Sequence, residues 1–432
     1  MQSTSIASSP AFSSTTSNGS RYWANLSLFI GISGLSLAGY GLLQGLGQHD
    51  PRPIFSWLIG VSFWMSIALG MLFMVMIWYI FGAQWAVIVR RQMEHGLAAF
   101  KWLVLAFAPL LVIVLFGGEQ RAIIWQWMDP DTLLPGGETV ATDPLYLAKE
   151  GYLNARFFIL RSVVYLLIFW GLSSLLSKAS FAMDHDGDLK WRRRCRKVSA
   201  LGIFLAALAI TFAAIDWFKS LEYHWFSTMY GVWFFAASMC AGLAFTVILC
   251  FCRSQWGALK GIYQQAHRYD LGCLCLAFTI FWAYISFSQY FLIYNANIPE
   301  ETFWYNIREK GLYGLNDWAW VGLALIFLRF ATPFLLLLWY QNKVQAGRLL
   351  FIVVWILGFH LIDLYWNILP GKIPADNAAG YIVRPFEVTL YDIAALIGVG
   401  GLWISGLLRS TARTAPIPLR DPFINDSLHH HE

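Results

Sequence analysis

The chain alternates long apolar segments with shorter polar connections. Continuous apolar runs lie near residues 24–45, 55–83, 98–116, 157–177, 198–216, 226–250, 270–294, 317–340, 349–369 and 388–408. A helix needs roughly 20 apolar residues to cross about 30 Å of hydrocarbon, because each residue adds about 1.5 Å. The pattern therefore predicts ten transmembrane helices, here called spans 1 to 10, and an all-α polytopic membrane protein.

Composition agrees with this pattern. Hydrophobic residues make up 58% of the chain and charged residues only 13%. A soluble domain of this size would not tolerate that balance, because too few polar side chains remain to cover its surface. The lipid bilayer is therefore the expected principal solvent of the protein.

Lysine and arginine are distributed unequally between the two sides of the predicted spans. One side carries 19 of these residues and the opposite side carries nine. Cytoplasmic loops retain basic residues, so the richer side, which includes both termini, is predicted to be cytoplasmic. The chain then divides into a cytoplasmic tail (1–22), a ten-helix membrane domain (23–410) with an outer loop (117–154), and a C-terminal cytoplasmic tail (411–432).

The most basic segment runs from Lys190 to Lys197 and lies directly beside a span. This position favours anchoring to anionic lipid and gives no reason to expect a nucleic-acid partner. The C-terminal stretch is rich in proline and ends in adjacent histidines, which is typical of a solvated tail.

Histidines and cysteines do not form a pattern that predicts a bound metal. Cys250 and Cys252, like Cys273 and Cys275, lie two residues apart, and on a helix such side chains point about 200° away from each other. A membrane b-type haem takes two axial histidines on facing helices, yet only His360 lies well inside a span. We therefore expect no metal, haem or iron-sulfur cluster bound by this chain.

Ionisable residues at or within the bilayer are the candidate functional residues, since a charge there costs at least a few kcal/mol and is normally kept for a purpose. Most are predicted to lie towards the outer face. The proposed proton-handling residues are Asp216, Glu222, His224, His360 and Asp363. The proposed quinone-binding or structural polar residues are Arg161, Lys219, Trp217, Trp225, Gln289, Arg329 and Asp392.

Two interpretations of these residues remain open from their positions. Histidine titrates in the physiological range, and burial moves carboxylates towards it, so carboxylates and imidazoles gathered at one depth form a hydrogen-bonded route for protons. His360 and Asp363, three residues apart, share one helical face. In the structural interpretation, Arg161 pairs with a carboxylate, Asp216 caps a helix, and the tryptophans form an interfacial belt.

Four long motifs resemble a known family. They are DWFKSLEYHWFSTMYGVWFF (216–235), GYLNARFFILRSVVY (151–165), SQYFLIYNANIPEETFWY (288–305) and IDLYWNILP (362–370). These segments resemble the NrfD or polysulfide-reductase-like membrane subunits, and within that family the second such subunit of bacterial alternative complex III, a quinol-oxidising respiratory complex. The resemblance extends over about nine of the ten spans.

The resemblance implies a specific architecture and set of partners. Spans 2–5 and spans 6–9 would form two four-helix bundles, with spans 1 and 10 peripheral. A paralogous membrane subunit, a periplasmic iron-sulfur subunit and multihaem cytochrome c subunits would assemble with the chain. The resemblance implies functional roles for five residues that match the motifs: Asp216, Glu222, His224, Arg161 and Asp363. The roles of His360 and Arg329 are inferred only from their expected burial.

The function expected from this resemblance is a membrane subunit of a quinol-oxidising complex in the bacterial inner membrane. The chain would bind quinone, conduct protons, or do both, while electrons pass to clusters and c-type haems in its partners. Whether the chain itself is catalytic is left open. Two alternatives remain: a secondary transporter, and a scaffolding subunit without chemistry of its own.

Overall fold

Ten long helices or helix groups dominate the computed structural model, which describes residues 11–134, 137–311, 314–374 and 381–430. Each is long and apolar enough to cross a membrane, which confirms the predicted all-α, multi-pass fold. Spans 1 to 10 are, in order, Ala11–Gln48, Arg52–Phe81, Val87–Ala98 with Lys101–Phe116, Ala155–Asp186, Leu189–Trp217, Tyr230–Trp256, Gln265–Ala296, Asp317–Leu338, Ala346–Ile368 and Leu390–Arg413.

Short elements occupy the connections between the spans. The short α-helices are Pro144–Leu147, Pro299–Glu309, Tyr340–Val344 and Ile424–Leu428, and the 3₁₀ helices are Gly118–Ile123, Gln126–Met128, Val140–Thr142 and Lys219–Glu222. Two antiparallel strand pairs join Lys310–Gly311 to Gly314–Leu315 and Lys372–Pro374 to Tyr381–Val383. We call the end with the 117–154 loop the outer end, and the opposite end, which carries the connection between spans 4 and 5, the inner end.

The spans pack as two bundles that share a central contact. Spans 2–5 form bundle 1, spans 6–9 form bundle 2, and span 2 of the first packs along span 6 of the second. Gly70 permits this crossing, because a Cβ atom there would clash with the backbone of Ser238. A Cβ atom on Gly242 would likewise lie too close, 2.7 Å, to the backbone of Gly70. Small residues at a helix crossing let two backbones approach closely within a membrane.

Spans 1 and 10 lie outside the two bundles and pack against each other. Gly31 and Gly34 of span 1 meet Gly398 and Gly401 of span 10, with each backbone filling the space that a Cβ would need. Span 10 in turn packs on span 2 and attaches this helix pair to bundle 1. Spans 1 and 10 therefore occupy the expected peripheral position because close glycine contacts pair them with each other.

Parts of the predicted tails and outer loop are not described. Residues 1–10 and 431–432, and positions 135–136 of the outer loop, lie outside the described residues. Within the described part, residues 414–430 pack on the inner end, and Ile417, Asp421 and Ser427 are buried. This corrects the expectation of a solvated C-terminal tail, because the segment supplies side chains that pair with buried groups of both bundles.

Candidate functional site

Span 8 is irregular at mid-membrane, where Arg329 lies. Residues Leu325–Ala331 form a π-helical segment between two α-helical stretches. Pro333 lacks the N–H that would bond the carbonyl four residues earlier. Side chains bind two neighbouring carbonyl oxygens: Thr332 donates to Phe327 at 3.0 Å and Trp355 donates to Leu328 at 2.7 Å. Such a segment inside an α-helix is frequently found at functional sites.

Arg329 meets two predicted site residues of span 9, and together with Ser66 of span 2 they form what we call the central network. The guanidinium lies 3.3 Å from Asp363 Oδ2 and 3.4 Å from His360 Nδ1. His360 Nε2 lies 2.7 Å from Ser66 Oγ. All four side chains are buried. The network therefore joins the two bundles about 20 Å along span 2 from its outer end.

The hydrogen-bond directions determine the tautomer of His360. A guanidinium only donates hydrogen bonds, so His360 Nδ1 accepts from Arg329. The proton of a neutral imidazole is then on Nε2, which donates to Ser66 Oγ. The Ser66 hydroxyl donates onward to the carbonyl of Phe63 at 2.7 Å. His360 is thus a neutral donor and acceptor held between a cation and a hydroxyl.

Asp363 balances the charge of Arg329 inside the membrane. Its Oδ2 also accepts from Trp282 Nε1 at 3.1 Å, and its Oδ1 accepts from Asn367 at 3.1 Å. The Arg329 guanidinium lies 4.1 Å above the Trp282 ring and donates to the Phe359 carbonyl. A buried carboxylate is tolerated when its oxygens are paired and hydrogen-bonded, as they are here.

A second group of titratable residues, which we call the outer cluster, lies at the outer end. His224 Nε2 lies 2.7 Å from Asp143 Oδ2, and His224 Nδ1 lies 3.5 Å from Glu222 Oε1. Tyr223 donates to Asp143 Oδ2 at 2.6 Å. The His224 side chain is 28% exposed and lies in the connection between spans 5 and 6. Asp143 comes from the outer loop and joins the two predicted residues Glu222 and His224 in this cluster.

Opposing effects set the pKa values in the outer cluster. Burial would lower the pKa of His224, but its contacts with Glu222 and Asp143 outweigh burial and raise it. Burial would raise the pKa of Asp143, but hydrogen bonds from Tyr223, the Leu145 N–H and His224 lower it. The pair therefore favours a charged imidazolium beside a carboxylate.

Polar and aromatic side chains lie between the outer cluster and the central network. Ser227 donates to Gln289 at 2.6 Å, and Gln289 donates to Tyr305 at 3.4 Å. Trp225 stacks on Trp304, with ring centroids 4.2 Å apart. Gln289 and Trp225, both predicted site residues, thus lie on the outer side of bundle 2.

Arg308 is a buried cation in this intermediate region. It donates to the carbonyls of Trp304, Trp366 and Asn367 at 2.8, 3.0 and 3.1 Å. No ion pair within the described ranges includes it, and burial lowers its pKa without removing its proton at neutral pH. Two of its acceptors end the span 9 helix, whose C-terminal dipole favours a positive charge.

Tyr230 lies beside this cation and is also fully buried. Its hydroxyl has no hydrogen-bond partner among the described residues. Leaving a buried hydroxyl unpaired costs about 1–3 kcal/mol, so such a group requires an explanation.

Arg161 and Asp216 form a separate and self-contained pair in bundle 1. The guanidinium makes two hydrogen bonds to the carboxylate, at 2.8 and 3.0 Å, and Tyr165 adds a third at 2.9 Å. Arg161 also donates to the Tyr152 carbonyl and lies 3.8 Å from the Tyr152 ring centroid. Both carboxylate oxygens and all three guanidinium nitrogens have a hydrogen-bond partner, and no hydrogen bond or ion pair among the described residues links the Asp216 side chain to the outer cluster.

The remaining predicted residues have local roles. Trp217 donates to Ser162 at 3.0 Å within bundle 1. Lys219 is partly buried, with its amine 5.2 Å from the Phe226 ring centroid. Asp392 accepts two bonds from Arg52, at 2.5 and 2.9 Å, and joins span 10 to span 2 at the outer end. These contacts hold helices together and lie apart from the central network.

A lipid-facing groove runs along the outer half of spans 8 and 9. Its volume is about 520 Å³, and its walls include Trp320, Leu328, Phe359, Ile362 and Phe386. Among the described residues, Asp317 is the one ionisable side chain that lines it. Leu328, Phe359 and Ile362 directly precede Arg329, His360 and Asp363 in the sequence. The groove and the central network therefore lie on different sides of the same segments of spans 8 and 9.

A third set of buried charges, the inner network, lies at the inner end of bundle 1. Glu94 accepts from Tyr79 at 2.7 Å and from Ser180 at 2.5 Å, and lies 3.2 Å from Arg90. Arg91 pairs with Asp184 at 2.8 Å. The sequence interpretation treated these arginines only as topology signals, because it could not foresee that they are buried.

The C-terminal segment completes the inner network and connects the bundles. Asp421 pairs with Arg90 at 2.6 Å and with Arg192 at 2.9 Å, both in bundle 1. His430 pairs with Asp270 of bundle 2 at 2.7 Å. These contacts hold the inner ends of the two bundles against each other.

The three titratable sets therefore do not form the single outer cluster that the sequence interpretation expected. Glu222 and His224 come together with Asp143, which was not predicted. His360 and Asp363 come together with Arg329, deeper in the membrane, and Asp216 is apart from both. Asp143 had one sequence signal: the Asp-Pro pair at 143–144 is typical of a helix start, and Asp143 does cap the helix Pro144–Leu147.

Comparison with known proteins gives no assignment: no protein-family model matches the chain, and no curated protein sequence matches it. Among the described residues, no group of three or more His, Cys, Asp or Glu side chains could hold a metal ion. The expectation that the chain binds no metal or haem stays a prediction. The functional assignment therefore rests on the four sequence motifs and on the geometry of the polar sets.

Proposed function

We propose that the chain is a membrane subunit of a quinol-oxidising respiratory complex of the alternative complex III type, located in a bacterial inner membrane. Its contribution is a proton-conducting path and a surface that binds quinone. Electrons pass to iron-sulfur clusters and c-type haems held by partner subunits, including a paralogous membrane subunit. The observation that carries this proposal is the central network, a buried Arg329–His360–Asp363 group built around a π-helical break.

The central network has the chemistry that proton transfer requires. His360 has one nitrogen that donates and one that accepts, and Asp363 has a carboxylate within the same group. A proton that reaches Asp363 neutralises the carboxylate that balances the charge of Arg329. Ionisable residues buried in a membrane domain are rare and characteristic of proton relays.

The outer cluster supplies the aqueous end of the proposed path. Protons move between Asp363 and the outer cluster through the region of Tyr230, Arg308 and Gln289. The Tyr230 hydroxyl, buried beside Arg308, supplies both a donor and an acceptor in this region. His224 then exchanges protons with the outer aqueous phase, because its imidazole is partly exposed and its contacts with Glu222 and Asp143 raise its pKa above the ordinary value of 6.5.

The apolar groove of spans 8 and 9 is the proposed quinone surface. Its aromatic and aliphatic walls suit a quinone ring and an isoprenoid tail arriving from lipid. Quinol oxidation releases two electrons and two protons. Asp317 at the outer rim and the adjacent central network are the nearest groups of this chain for those protons, whereas the electrons leave through partner-bound centres.

Isolation of the protein from its native membrane tests this function. A tagged chain, extracted in mild detergent, should co-purify with a related membrane subunit, an iron-sulfur protein and multihaem cytochromes, identified by mass spectrometry and haem absorbance. The assembly should oxidise quinol and reduce a cytochrome or an artificial acceptor. A protein that emerges alone and moves a solute across liposomes would overturn the proposal in favour of a secondary transporter.

A further inference from the structure

Spans 4 and 5 carry four basic side chains at their inner ends, Lys178, Arg193, Arg194 and Lys197, which we call the basic patch. All four are exposed. No ion pair with a carboxylate is found for any of them in the described part of the chain. Their neighbours differ: Lys190 pairs with Asp188 at 3.1 Å. The basic patch is therefore a group of exposed cations that the described part of the chain leaves without a carboxylate partner.

The basic patch continues the lipid-facing surface of span 5. Leu201 and Phe204 are 74% and 73% exposed, as expected for side chains that contact lipid. With about 100° between successive residues, Arg194 and Lys197 lie within about 40° of Leu201 around the helix axis. Lys197 is one turn, about 6 Å, beyond Leu201, and a headgroup layer is about 5–7 Å thick.

Span 4 has the same arrangement beside it. Leu160 and Leu167 are 59% and 53% exposed, and Lys178 lies within about 20° of Leu167 around the helix. Spans 4 and 5 pack against each other, so their two lipid-facing surfaces end side by side at the inner end. Arg196, in contrast, points about 140° away from Leu201 although it too is exposed.

The geometry points to a binding site for the phosphate headgroup of an anionic phospholipid at the basic patch. A lipid whose acyl chains lie along Leu201 and Leu167 has its headgroup at the level of Lys197 and Lys178. Arginine and lysine provide charge-assisted hydrogen bonds to phosphate oxygens. This site does not depend on the proposed respiratory function, because it uses residues outside the three titratable sets.

Bound-lipid analysis tests the site directly. The purified protein, in whichever assembly it is isolated, is reconstituted in phosphatidylcholine nanodiscs with a minor fraction of phosphatidylglycerol, and retained lipids are counted by native mass spectrometry. Lys197→Gln is expected to lower the retained phosphatidylglycerol to phosphatidylcholine ratio about fivefold, which corresponds to about 1 kcal/mol. The combined variant with Arg193→Gln and Arg194→Gln is expected to abolish the preference.

Arg196→Gln is the matched control, since it removes one exposed positive charge from the adjacent position on another face of the helix. It should leave the lipid ratio unchanged, and Arg194→Lys should retain most of the preference. Soluble inorganic phosphate, added at the concentration of the anionic lipid, should not displace the lipid. Equal losses in Lys197→Gln and Arg196→Gln, displacement by phosphate, or absence of anionic lipid from the native assembly because a protein covers the patch would each overturn the assignment.

Discussion

A buried arginine pairs with a buried aspartate of the next span in each bundle, Arg161 with Asp216 and Arg329 with Asp363, and these two pairs differ in their surroundings. In bundle 1, Arg161 lies on a regular α-helix and donates two hydrogen bonds to the Asp216 carboxylate, at 2.8 and 3.0 Å. In bundle 2, Arg329 makes a single longer contact of 3.3 Å with Asp363 and projects from a π-helical segment. We call the first pair closed, because the carboxylate takes two hydrogen bonds from one guanidinium. In the second pair, the Arg329 guanidinium also contacts the titratable side chain of His360.

The difference separates a structural ion pair from a site that can change its protonation. A bidentate pair with every donor matched has no free position for a proton, and its value lies in holding spans 4 and 5 together. His360 beside Arg329 adds a group that donates on one side and accepts on the other. Burial and residue type alone therefore do not identify a proton path; the number and kind of additional partners do.

The largest effect is predicted for a substitution that disrupts the closed pair of Arg161 and Asp216. Asp216→Asn leaves the Arg161 charge buried without its carboxylate, and such a loss costs about 3–5 kcal/mol. We expect a marked fall in the midpoint of thermal unfolding in detergent and a lower yield of folded protein. Activity per folded molecule should stay near that of the wild type. An unchanged midpoint combined with lost activity would place Asp216 in the functional route instead.

The second prediction concerns the shared pair. Asp363→Asn removes the proton-accepting carboxylate, while Arg329 keeps its bond to the Phe359 carbonyl and its contact with the Trp282 ring. Loss of a general acid or base typically lowers a rate by about 100-fold or more, so we expect proton-coupled quinol oxidation to fall by about 100-fold. Arg329 is also left buried without its carboxylate, so some thermal stability should be lost as in Asp216→Asn, but co-purification of partner subunits should be preserved.

Asp392→Asn provides the control for this variant, because Asp392 is another buried aspartate paired with an arginine but lies outside the central network. Its variant should lose some stability and retain the rate of quinol oxidation. If Asp363→Asn oxidised quinol and moved protons as the wild type does, the chain would be a scaffolding subunit.

A smaller effect is expected at the contact between the bundles. Ser66→Ala removes the acceptor of the His360 Nε2–H, and an unpaired buried donor costs about 1–3 kcal/mol. Ser62→Ala is matched to it, because the Ser62 hydroxyl donates only to the Leu58 carbonyl of its own helix. Thermal unfolding should separate the two variants by about 1 kcal/mol or more. Equal losses would mean that the His360–Ser66 hydrogen bond contributes nothing to the packing of the bundles.

Much of the fold follows from the sequence because the bilayer imposes a simple rule on it. Apolar length predicts the ten spans, and the three-residue spacing of His360 and Asp363 predicts their shared face. The structural interpretation of Arg161 as a residue paired with a carboxylate also agrees with the structure, but it did not identify Asp216 as the partner and treated that residue as a helix cap. These features depend on local pattern and on depth in the membrane.

The remaining parts of the site depend on contacts between distant segments. Asp143 reaches His224 only because the outer loop folds over the end of span 5. Asp421 meets Arg90 because the C-terminal segment returns to the inner end. The link from Arg329 to span 9 requires the π-helical turn, which no period in the sequence marks.

The smallest predicted effect is the pH dependence of the outer cluster, which tests whether His224 is a titrating partner or a fixed contact. The folded protein raises the pKa of His224 above its ordinary value of 6.5. Its contribution to stability is therefore fully present below that value and is lost as the pH rises through the folded pKa. Asp143 has a lowered pKa, so its contribution is lost only in acid, outside this window.

Thermal unfolding at pH values from mildly acidic to mildly alkaline, compared between the wild type and His224→Gln, isolates this contribution from the other histidines. The wild type should lose up to about 1 kcal/mol more than the variant across the window, the range typical of a partly exposed ion pair. Glu222→Gln should narrow the window, because one of the two carboxylates that raise the pKa of His224 is gone. Parallel pH curves for the wild type and His224→Gln would show that the imidazole does not exchange protons differently in the folded state. The outer cluster would then resemble the closed pair of bundle 1 rather than an open end of the path from the central network.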